Sequence, residues 1–172
     1  MENGSSKYFS QHKYSYKKNC KPPVLIAWKL KTPSNYGNML RLANTTACAK
    51  VIFILPEGEI PAERKIKKTA QQSWSEVEHV FIHACDLMQH IPDGYTLIGV
   101  ETVENSKNIF SYTLPSSLAL MVGNEKHGIE PAGINLCEQT VHIPLTGKCT
   151  SLNVSHALCV ALFEWVRQFV VS

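Results

Sequence analysis

The stretch LALMVGNEKHGIEP, residues 118–131, changes abruptly from an apolar run into a polar segment. The apolar part has the short, bulky composition of a buried strand, and two glycines, Gly123 and Gly128, then enclose four polar residues. Glycine allows backbone angles that other residues resist, so the segment fits a tight turn between a strand and a helix. A simple polar turn and a ligand-binding loop are both compatible with this stretch taken alone.

Five other segments repeat the apolar character of residues 118–123. They are short and rich in β-branched residues, as expected of parallel strands that helices cover on both faces. The six predicted strands are 24–30, 50–55, 77–82, 95–100, 118–123 and 140–145. Longer amphipathic or polar stretches separate them, so the sequence predicts an α/β fold with a mostly parallel sheet and helices on both faces.

Two connecting segments show helix signals. Residues 35–49 place apolar side chains at helical spacing after Asn35, which we interpret as an N-terminal cap. In residues 57–72 acidic residues come first, Pro61 fits the first turn, and basic residues follow, an order that complements the helix dipole. The basic residues are Arg64, Lys65, Lys67 and Lys68. We interpret them as a solvated helix face in preference to an RNA contact.

The last segment, residues 151–171, is the longest predicted helix, and it carries two apolar stripes. The first stripe is Val154, Leu158, Leu162, Trp165 and Phe169, and the second is Cys159, Phe163, Val166 and Val170. Two stripes exceed what a surface helix needs for one core. The helix is therefore either central or in contact with a second subunit.

Residues 1–21 carry the basic excess of the chain. They hold five lysines against one glutamate, Glu2, a balance of +4 in a chain of net charge +3. Aromatic residues lie between these lysines, so the segment offers cations for phosphates and rings for stacking on unpaired bases. A solvated, poorly ordered terminus is the other interpretation. The sequence thus predicts a basic polar tail over 1–21 and one domain over 22–172.

The cysteines and the hydropathy pattern indicate the cellular compartment of the protein. Six cysteines stand singly, without Cys-x-x-Cys pairs, which is typical of reduced cytosolic thiols. No apolar run approaches the roughly 20 residues that cross a bilayer, and residues 1–20 lack the apolar core of a signal peptide. We therefore expect a cytoplasmic protein without a membrane segment.

Standard nucleotide and hydrolase fingerprints are absent. GNEKHG (123–128) is not Gly-x-Gly-x-x-Gly, and it lies too late in the chain for a first βαβ turn. TGKCTS (146–151) imitates a phosphate loop, but His142 stands where the first glycine is required and Cys149 where Ser or Thr is required. Gly-x-Ser-x-Gly and His-Glu-x-x-His do not occur.

Three separated segments carry a family resemblance together. NYGNMLRLA (35–43), LALMVGNEKHGI (118–129) and VHIPLTGKCTSLNVSHALCVALFEW (141–165) closely resemble the three motifs of the SpoU/TrmH family, which are SPOUT-class, S-adenosylmethionine-dependent RNA 2′-O-ribose methyltransferases. Order and spacing both match, over roughly residues 23–169. The third motif is the most specific of the three.

The resemblance implies a C-terminal trefoil knot, a homodimer and S-adenosylmethionine bound among the knot loops. Knots are rare in proteins, and nothing in the periodicity of this chain indicates one. The implied cofactor-binding residues are Val122, Gly123, Asn124, Glu125, Gly128, Ile143, Pro144, Leu145, Ser151, Leu152, Asn153 and Val154. The glycines would let the cofactor approach the backbone closely.

The resemblance also implies a catalytic set: Arg41, Asn35, Glu125, Ser151 and Asn153. In such dimers Arg41 works beside the cofactor of the other subunit. A guanidinium stays protonated, so we expect it to grip an RNA phosphate and stabilise developing alkoxide charge. We assign no base role to His127 or His156, and no metal is implied.

Two other functions stay open. A non-catalytic RNA-binding or assembly factor could retain the knotted fold, and a nucleotide-binding α/β enzyme outside the family is the third interpretation. Only about 21 residues precede the first predicted strand, so RNA recognition would come from the dimer surface, the basic tail or a partner. Transfer RNA and ribosomal RNA are both possible substrates.

Overall fold

The chain alternates strands and helices from residue 21 onward. A computed structural model describes residues 4–12 and 14–171, apart from the side chains of Ser6 and Val171. The strands are β1 Ser15–Tyr16, β2 Lys21–Trp28, β3 Lys50–Ile54, β4 His79–Ile82, β5 Thr96–Val100, β6 Lys107–Asn108, β7 Ser117–Val122, β8 Gln139–His142 and β9 Val170–Val171. The helices are α1 Gly4–Gln11, α2 Pro33–Thr45, α3 Glu63–Ala70, α4 Ser73–Glu76, α5 Leu87–His90, α6 Pro131–Ile134 and α7 Val154–Phe169.

A seven-stranded sheet forms the centre of the molecule, in the order β4-β3-β2-β7-β5-β8-β6. Every neighbouring pair in it is parallel. The predicted α/β class with a mostly parallel sheet is confirmed, and each of the six predicted strands corresponds to a strand of this sheet. The sequence did not predict β6, β1 or β9, because two residues are too few for a periodic pattern. The trefoil knot stays a prediction from the resemblance.

Both faces of the sheet are buried, as the apolar strand compositions predicted. In β2, Leu25 and Ala27 belong to one core cluster, while Val24 and Ile26 belong to the other, each with no exposed surface. The first cluster includes Leu40 of α2 and the inner stripe of α7, and the second lies against α5. Two covered faces place polar function at the strand ends, where loops emerge.

Two helix starts differ from the sequence predictions. Asn35 is not the N-terminal cap of α2, because the helix begins at Pro33 and Thr32 holds the cap position without a side-chain cap bond. Pro61 is not in the first turn of α3, because that helix begins at Glu63. The proline preference for a first turn is instead met by Pro33.

The long α7 helix carries two apolar stripes as predicted, except that it begins at Val154 and ends at Phe169, so that Val170 of the second stripe lies in β9. Val154, Leu158, Leu162 and Trp165 are buried, and Phe169 is half-buried. In the second stripe Cys159, Val166 and Val170 are half-buried, and 46% of Phe163 is exposed. The second stripe therefore keeps apolar surface that the core of one chain does not cover.

Part of the predicted tail contacts the rest of the chain. Tyr16 pairs with Val170 in an antiparallel ladder, stands edge-on to the Trp165 ring at 5.3 Å, and donates a hydrogen bond to the Thr46 carbonyl. Burial raises its pKa to about 12, with Cys48 and Tyr95 adding to the shift. The division of the chain at residue 21 stays a prediction, and Glu2 and Lys13 of the tail lie outside the described residues.

Candidate ligand-binding site

A cavity of about 670 Å³ opens at the carboxyl ends of β5, β7 and β8. In parallel α/β sheets this edge is where ligands bind, because loops diverge there and backbone groups lose their strand partners. The cavity is lined by Val100, Glu101, Thr102, Val122, Gly123, Asn124, Glu125, Lys126, His127, Gly128, His142, Ile143, Leu145, Thr150, Ser151, Leu152, Asn153, Val154 and Ala157. Its size lies within the range of small-molecule sites.

The cavity brings together the second and third sequence motifs. Eleven of the twelve residues predicted to bind a cofactor line it, and Pro144 is the exception. Pro144 is exposed between Ile143 and Leu145, which both line the cavity. Ser151 also belongs to the lining, although the sequence placed it in the catalytic set as well.

The loop of residues 123–128 closes on itself. Asn124 and Gly128 exchange backbone hydrogen bonds of 2.9 and 3.0 Å, and the Asn124 side-chain oxygen accepts from the Lys126 amide at 2.9 Å. A Cβ atom on Gly123 would overlap the backbone of Gly128. Gly128 has a φ of +64°, which side chains rarely adopt. Both glycines are thus required by contacts inside the protein, before any ligand approaches.

Glu125 fastens this loop to the start of α2. Its carboxylate accepts hydrogen bonds from the amides of Lys31 and Thr32 and from Asn35 Nδ2, at 3.0, 2.9 and 2.8 Å. It therefore satisfies donors at a helix N-terminus whose own cap residue makes no side-chain bond. Partial burial raises the pKa of Glu125, but these hydrogen bonds outweigh it and leave the pKa below its ordinary value.

Asn35 joins the first motif to the third. Its side chain is 3% exposed, and its Oδ1 accepts a hydrogen bond from Asn153 Nδ2 at 3.3 Å. Asn153 in turn caps α7, since its Oδ1 accepts from the Ser155 amide at 2.9 Å. Asn35, Glu125 and Asn153 therefore form one hydrogen-bonded chain across three separate segments.

Arg41 is the member of the predicted catalytic set that lies apart. It is exposed on α2, six residues after Asn35, and six residues turn a helix by about 600°. It borders a surface depression with Asn44, Gln72 and Glu76, and it does not line the ligand cavity of its own chain. One chain therefore gathers four of the five predicted catalytic residues.

Several lining residues were not predicted from the sequence. The main ones are Glu101 and Thr102 after β5, and His142 at the end of β8. His142 Nδ1 lies 2.8 Å from Ser106 Oγ. A search of every predicted strand end for polar residues would have found Glu101 and Thr102, whereas His142 lies inside the predicted strand 140–145 and ends a strand only in the structure. Of the two histidines given no base role, His127 lines the cavity, whereas His156 is exposed outside it.

The chemistry of the lining fits a nucleoside-type ligand. Leu145 and Leu152 are large apolar side chains with 40% and 41% of their surface exposed, so a planar base can cover them. Carboxylates and loop peptide groups supply acceptors and donors for polar atoms. Within residues 4–12 and 14–171, no group of three or more His, Cys, Asp or Glu is placed to hold a metal ion.

Fold and site together define a parallel α/β protein with a small-ligand cavity at the carboxyl edge of its sheet. Residues 22–163 match the SpoU rRNA Methylase family, and the chain belongs to that family. The match spans all three motifs quoted from the sequence, apart from the last residues of the third.

Curated relatives agree with this membership. The 23S rRNA (guanosine-2′-O-)-methyltransferase RlmB of Vibrio vulnificus is 31% identical over 90% of this chain and 63% of its own length. The tRNA (guanosine(18)-2′-O)-methyltransferase TARBP1 of Mus musculus is 26% identical over 84% of this chain and 9% of its own length. The chain thus spans less than two thirds of these relatives.

Solved structures share the fold. The SpoU methyltransferase AviRb from Streptomyces viridochromogenes superposes with a TM-score of 0.77 at 21% identity, covering 87% of this chain and 61% of that chain. Its complex with the cofactor AdoMet gives a TM-score of 0.74 at 24% identity, covering 85% of this chain and 57% of that chain. At these identities the likeness speaks for the fold alone.

Proposed function

We propose that this protein transfers a methyl group from S-adenosylmethionine to a ribose 2′-hydroxyl of transfer or ribosomal RNA. The observation that carries the proposal is the hydrogen-bonded chain of Asn35, Glu125 and Asn153 beside a nucleoside-sized cavity. Membership of the SpoU rRNA Methylase family supports it, as do the methyltransferase activities for which the relatives are named.

The cavity loops would hold the cofactor. Leu145 and Leu152 offer apolar surface to an adenine ring, and peptide groups of the loop 123–128 offer donors and acceptors. When bound, S-adenosylmethionine supplies a methyl group already activated by its sulfonium. The task left to the protein is to align the RNA hydroxyl with that methyl, and alignment contributes a large part of the rate in such transfers.

Arg41 would act on the RNA from a second subunit. It does not line the cavity of its own chain, and in the proposed dimer it would reach the cofactor of the other subunit. Its guanidinium stays protonated and offers a planar fork for a phosphate or a developing alkoxide. Asn35 and Asn153, which are fixed by their mutual hydrogen bond, would orient the ribose.

The homodimer in this proposal uses the second stripe of α7. Phe163 is 46% exposed, and Cys159 and Val166 are half-buried beside it. An exposed aromatic ring within an apolar stripe is typical of an interface core. A copy of the same helix would cover it in a two-fold arrangement.

Residues 4–18 would add RNA contacts. Tyr8, Phe9 and Tyr14 are 48%, 62% and 52% exposed, and Tyr8 and Phe9 stand edge to face at 5.3 Å. The nearby Lys7 and Lys18 are exposed cations. Exposed rings with cations fit unpaired bases and their phosphates. We place this activity in the cytoplasm; among the described residues, no helix is long and apolar enough to span a membrane.

The test is transfer of labelled methyl from S-adenosylmethionine to total RNA, followed by digestion to nucleosides. A labelled 2′-O-methylnucleoside is the expected product, and a base-methylated product contradicts the proposal. RNA binding without transfer to any RNA would favour the non-catalytic assembly factor. Glu104→Gln serves as the control variant, because Glu104 is exposed outside the cavity lining.

A further inference from the structure

Two carboxylates line the ligand cavity, and they differ in how many hydrogen bonds they already accept. Glu125 accepts from three donors of the segment 31–35. Glu101, at the end of β5, accepts from the Thr102 amide at 3.0 Å with one oxygen and from the Ile129 amide at 2.7 Å with the other. Glu125 is thus committed to holding α2, while Glu101 keeps acceptor capacity on both oxygens.

The Glu101 carboxylate is held in one place. Its own amide donates to the Val141 carbonyl at 2.9 Å, which ties its backbone to β8. Its side chain lies directly against Gly128, where a Cβ atom would overlap the carboxylate. The two hydrogen bonds from backbone amides and this close packing fix both oxygens at the wall of the cavity. Little side-chain entropy is therefore left to lose on binding.

We propose that Glu101 accepts hydrogen bonds from the 2′- and 3′-hydroxyls of the cofactor's ribose and so selects a ribonucleoside as the ligand. This inference rests on the proposed function. A vicinal diol offers two adjacent neutral donors, which match two carboxylate oxygens held side by side. An acidic residue at a strand end also binds ribose in dinucleotide-binding folds, for the same chemical reason.

His142 and Thr102 do not offer the same match. His142 Nδ1 is engaged with Ser106 Oγ at 2.8 Å, so the imidazole has one nitrogen left for a ligand. Thr102 is exposed and presents a single hydroxyl. Glu101 is the lining side chain with two fixed acceptors that are each bonded once, among the residues that the structure describes.

The experiment compares S-adenosylhomocysteine with its 2′-deoxy and 3′-deoxy analogues by calorimetric titration. The proteins are the unaltered chain, Glu101→Ala, Glu101→Asp and the control Glu104→Gln. We expect each missing hydroxyl to weaken binding to the unaltered chain and to Glu104→Gln by about tenfold, the effect of one hydrogen bond to a charged group. The hydroxyl ratio is the dissociation constant of a deoxy analogue divided by that of S-adenosylhomocysteine. In Glu101→Ala the hydroxyl ratio should fall to near one, and in Glu101→Asp it should fall partway.

The hydroxyl ratio measured within one variant distinguishes recognition of the ribose from support of the loop. If Glu101 only supports residue 129, its replacement weakens all three ligands equally and the ratio stays near ten, which overturns the inference. If Glu101 instead binds the ammonium group, its loss will penalise S-adenosylhomocysteine more than 5′-methylthioadenosine at an unchanged hydroxyl ratio, which also overturns it.

Failure of the proposed function can be distinguished from failure of the inference about Glu101. Absence of S-adenosylmethionine binding to the unaltered chain would remove the methyltransferase and this inference together. Binding with an unchanged hydroxyl ratio in Glu101→Ala would remove only the role of Glu101. Thermal unfolding of each variant checks that it is folded, and Glu101→Asp, which keeps the charge, still tests the inference if Glu101→Ala does not fold.

Discussion

Asn35 donates a hydrogen bond of 2.8 Å to Glu125, a residue ninety positions further along the chain. The same carboxylate accepts hydrogen bonds from the Lys31 and Thr32 amides, so the loop after β7 caps the helix that follows β2. This capping explains why Asn35 is not the helix cap that local sequence suggested. Its amide is instead held inside the protein, facing both Glu125 and Asn153.

Replacing Glu125 with alanine should lower the free energy of unfolding by about 1 kcal/mol, since Glu125 is partly exposed to water and its bonds are partly screened. The buried Asn35 amide would also lose an acceptor. Chemical denaturation measures the difference. An equal loss in the exposed control Glu104→Ala would contradict the role of Glu125 as a cap.

The stabilising effect of Glu125 should depend on pH. Its pKa is lowered in the folded state, because the hydrogen bonds that it accepts outweigh its partial burial, so the contribution is present above the unfolded pKa and is lost as pH falls through the folded pKa. The difference in stability between the unaltered chain and Glu125→Gln should therefore shrink on acidification below the ordinary value of 4.5. A difference that is constant from neutral to acidic pH would refute this.

Replacing Gly123 with valine should destabilise the protein by about 1–3 kcal/mol, the usual cost of overpacking. A Cβ at this position overlaps the backbone of Gly128, which cannot move without opening the loop. The matched control is Gly147→Ala, where a Cβ would meet no atom within 4 Å. Thermal unfolding should distinguish the two, and equal melting temperatures would show that the loop adapts. Because Gly123 already packs against Gly128, a loss of cofactor affinity in Gly123→Val can result from the distorted loop as well as from lost contact between Gly123 and the cofactor.

Replacing Arg41 with lysine should lower methyl transfer at least about tenfold, equivalent to about 1.4 kcal/mol of transition-state stabilisation. Lysine keeps the charge but loses the planar fork. Affinity for S-adenosylmethionine should be unchanged, because Arg41 is proposed to act on the RNA and not on the cofactor. The measurement pairs turnover on an accepted RNA with a cofactor titration. Normal turnover would remove Arg41 from the mechanism, and a parallel loss of affinity would place it at the cofactor.

Replacing Phe163 with aspartate should convert a dimer into monomers, because it puts a charge into the centre of the exposed stripe of α7. Light scattering at micromolar concentration reads the mass directly. Phe110→Asp is the control, since Phe110 is 51% exposed outside that helix and should leave the mass unchanged. A monomeric unaltered chain would disprove the dimer and the cross-subunit role of Arg41 with it.

Replacing Tyr8 and Phe9 together with alanine should raise the KM for RNA by about tenfold, since stacking of one base contributes about 1–3 kcal/mol. The kcat and the cofactor affinity should be unchanged, because neither residue lines the cavity. Ile60→Ala is a control, as Ile60 is 90% exposed on another segment. An unchanged KM would leave the predicted tail without a role in RNA binding.

The sequence by itself determined the sheet and the long final helix. Segments such as 24–30 and 118–123 are apolar on both faces, and this local pattern identifies buried parallel strands without knowledge of their neighbours. The same periodicity predicted two apolar stripes on the final helix, because Val154 and Phe163 fall on different sides of a regular helix, and the structure shows that Phe163 is the exposed one. The eleven predicted cofactor residues that line the cavity came from the family resemblance of the second and third motifs, and not from the periodicity of the chain.

Only the tertiary structure decided which side chains meet. Glu125 caps a helix that begins about ninety residues earlier, and Glu101 lies against Gly128. Arg41 lies away from the cavity, although its motif neighbour Asn35 is hydrogen-bonded to Glu125 and Asn153, which line it. Such contacts depend on the order of the strands in the sheet. β7 lies between β2 and β5 in the sheet, although it follows both of them in the sequence. Local periodicity carries no record of that order, because burial constrains the type of side chain and not the identity of its partner.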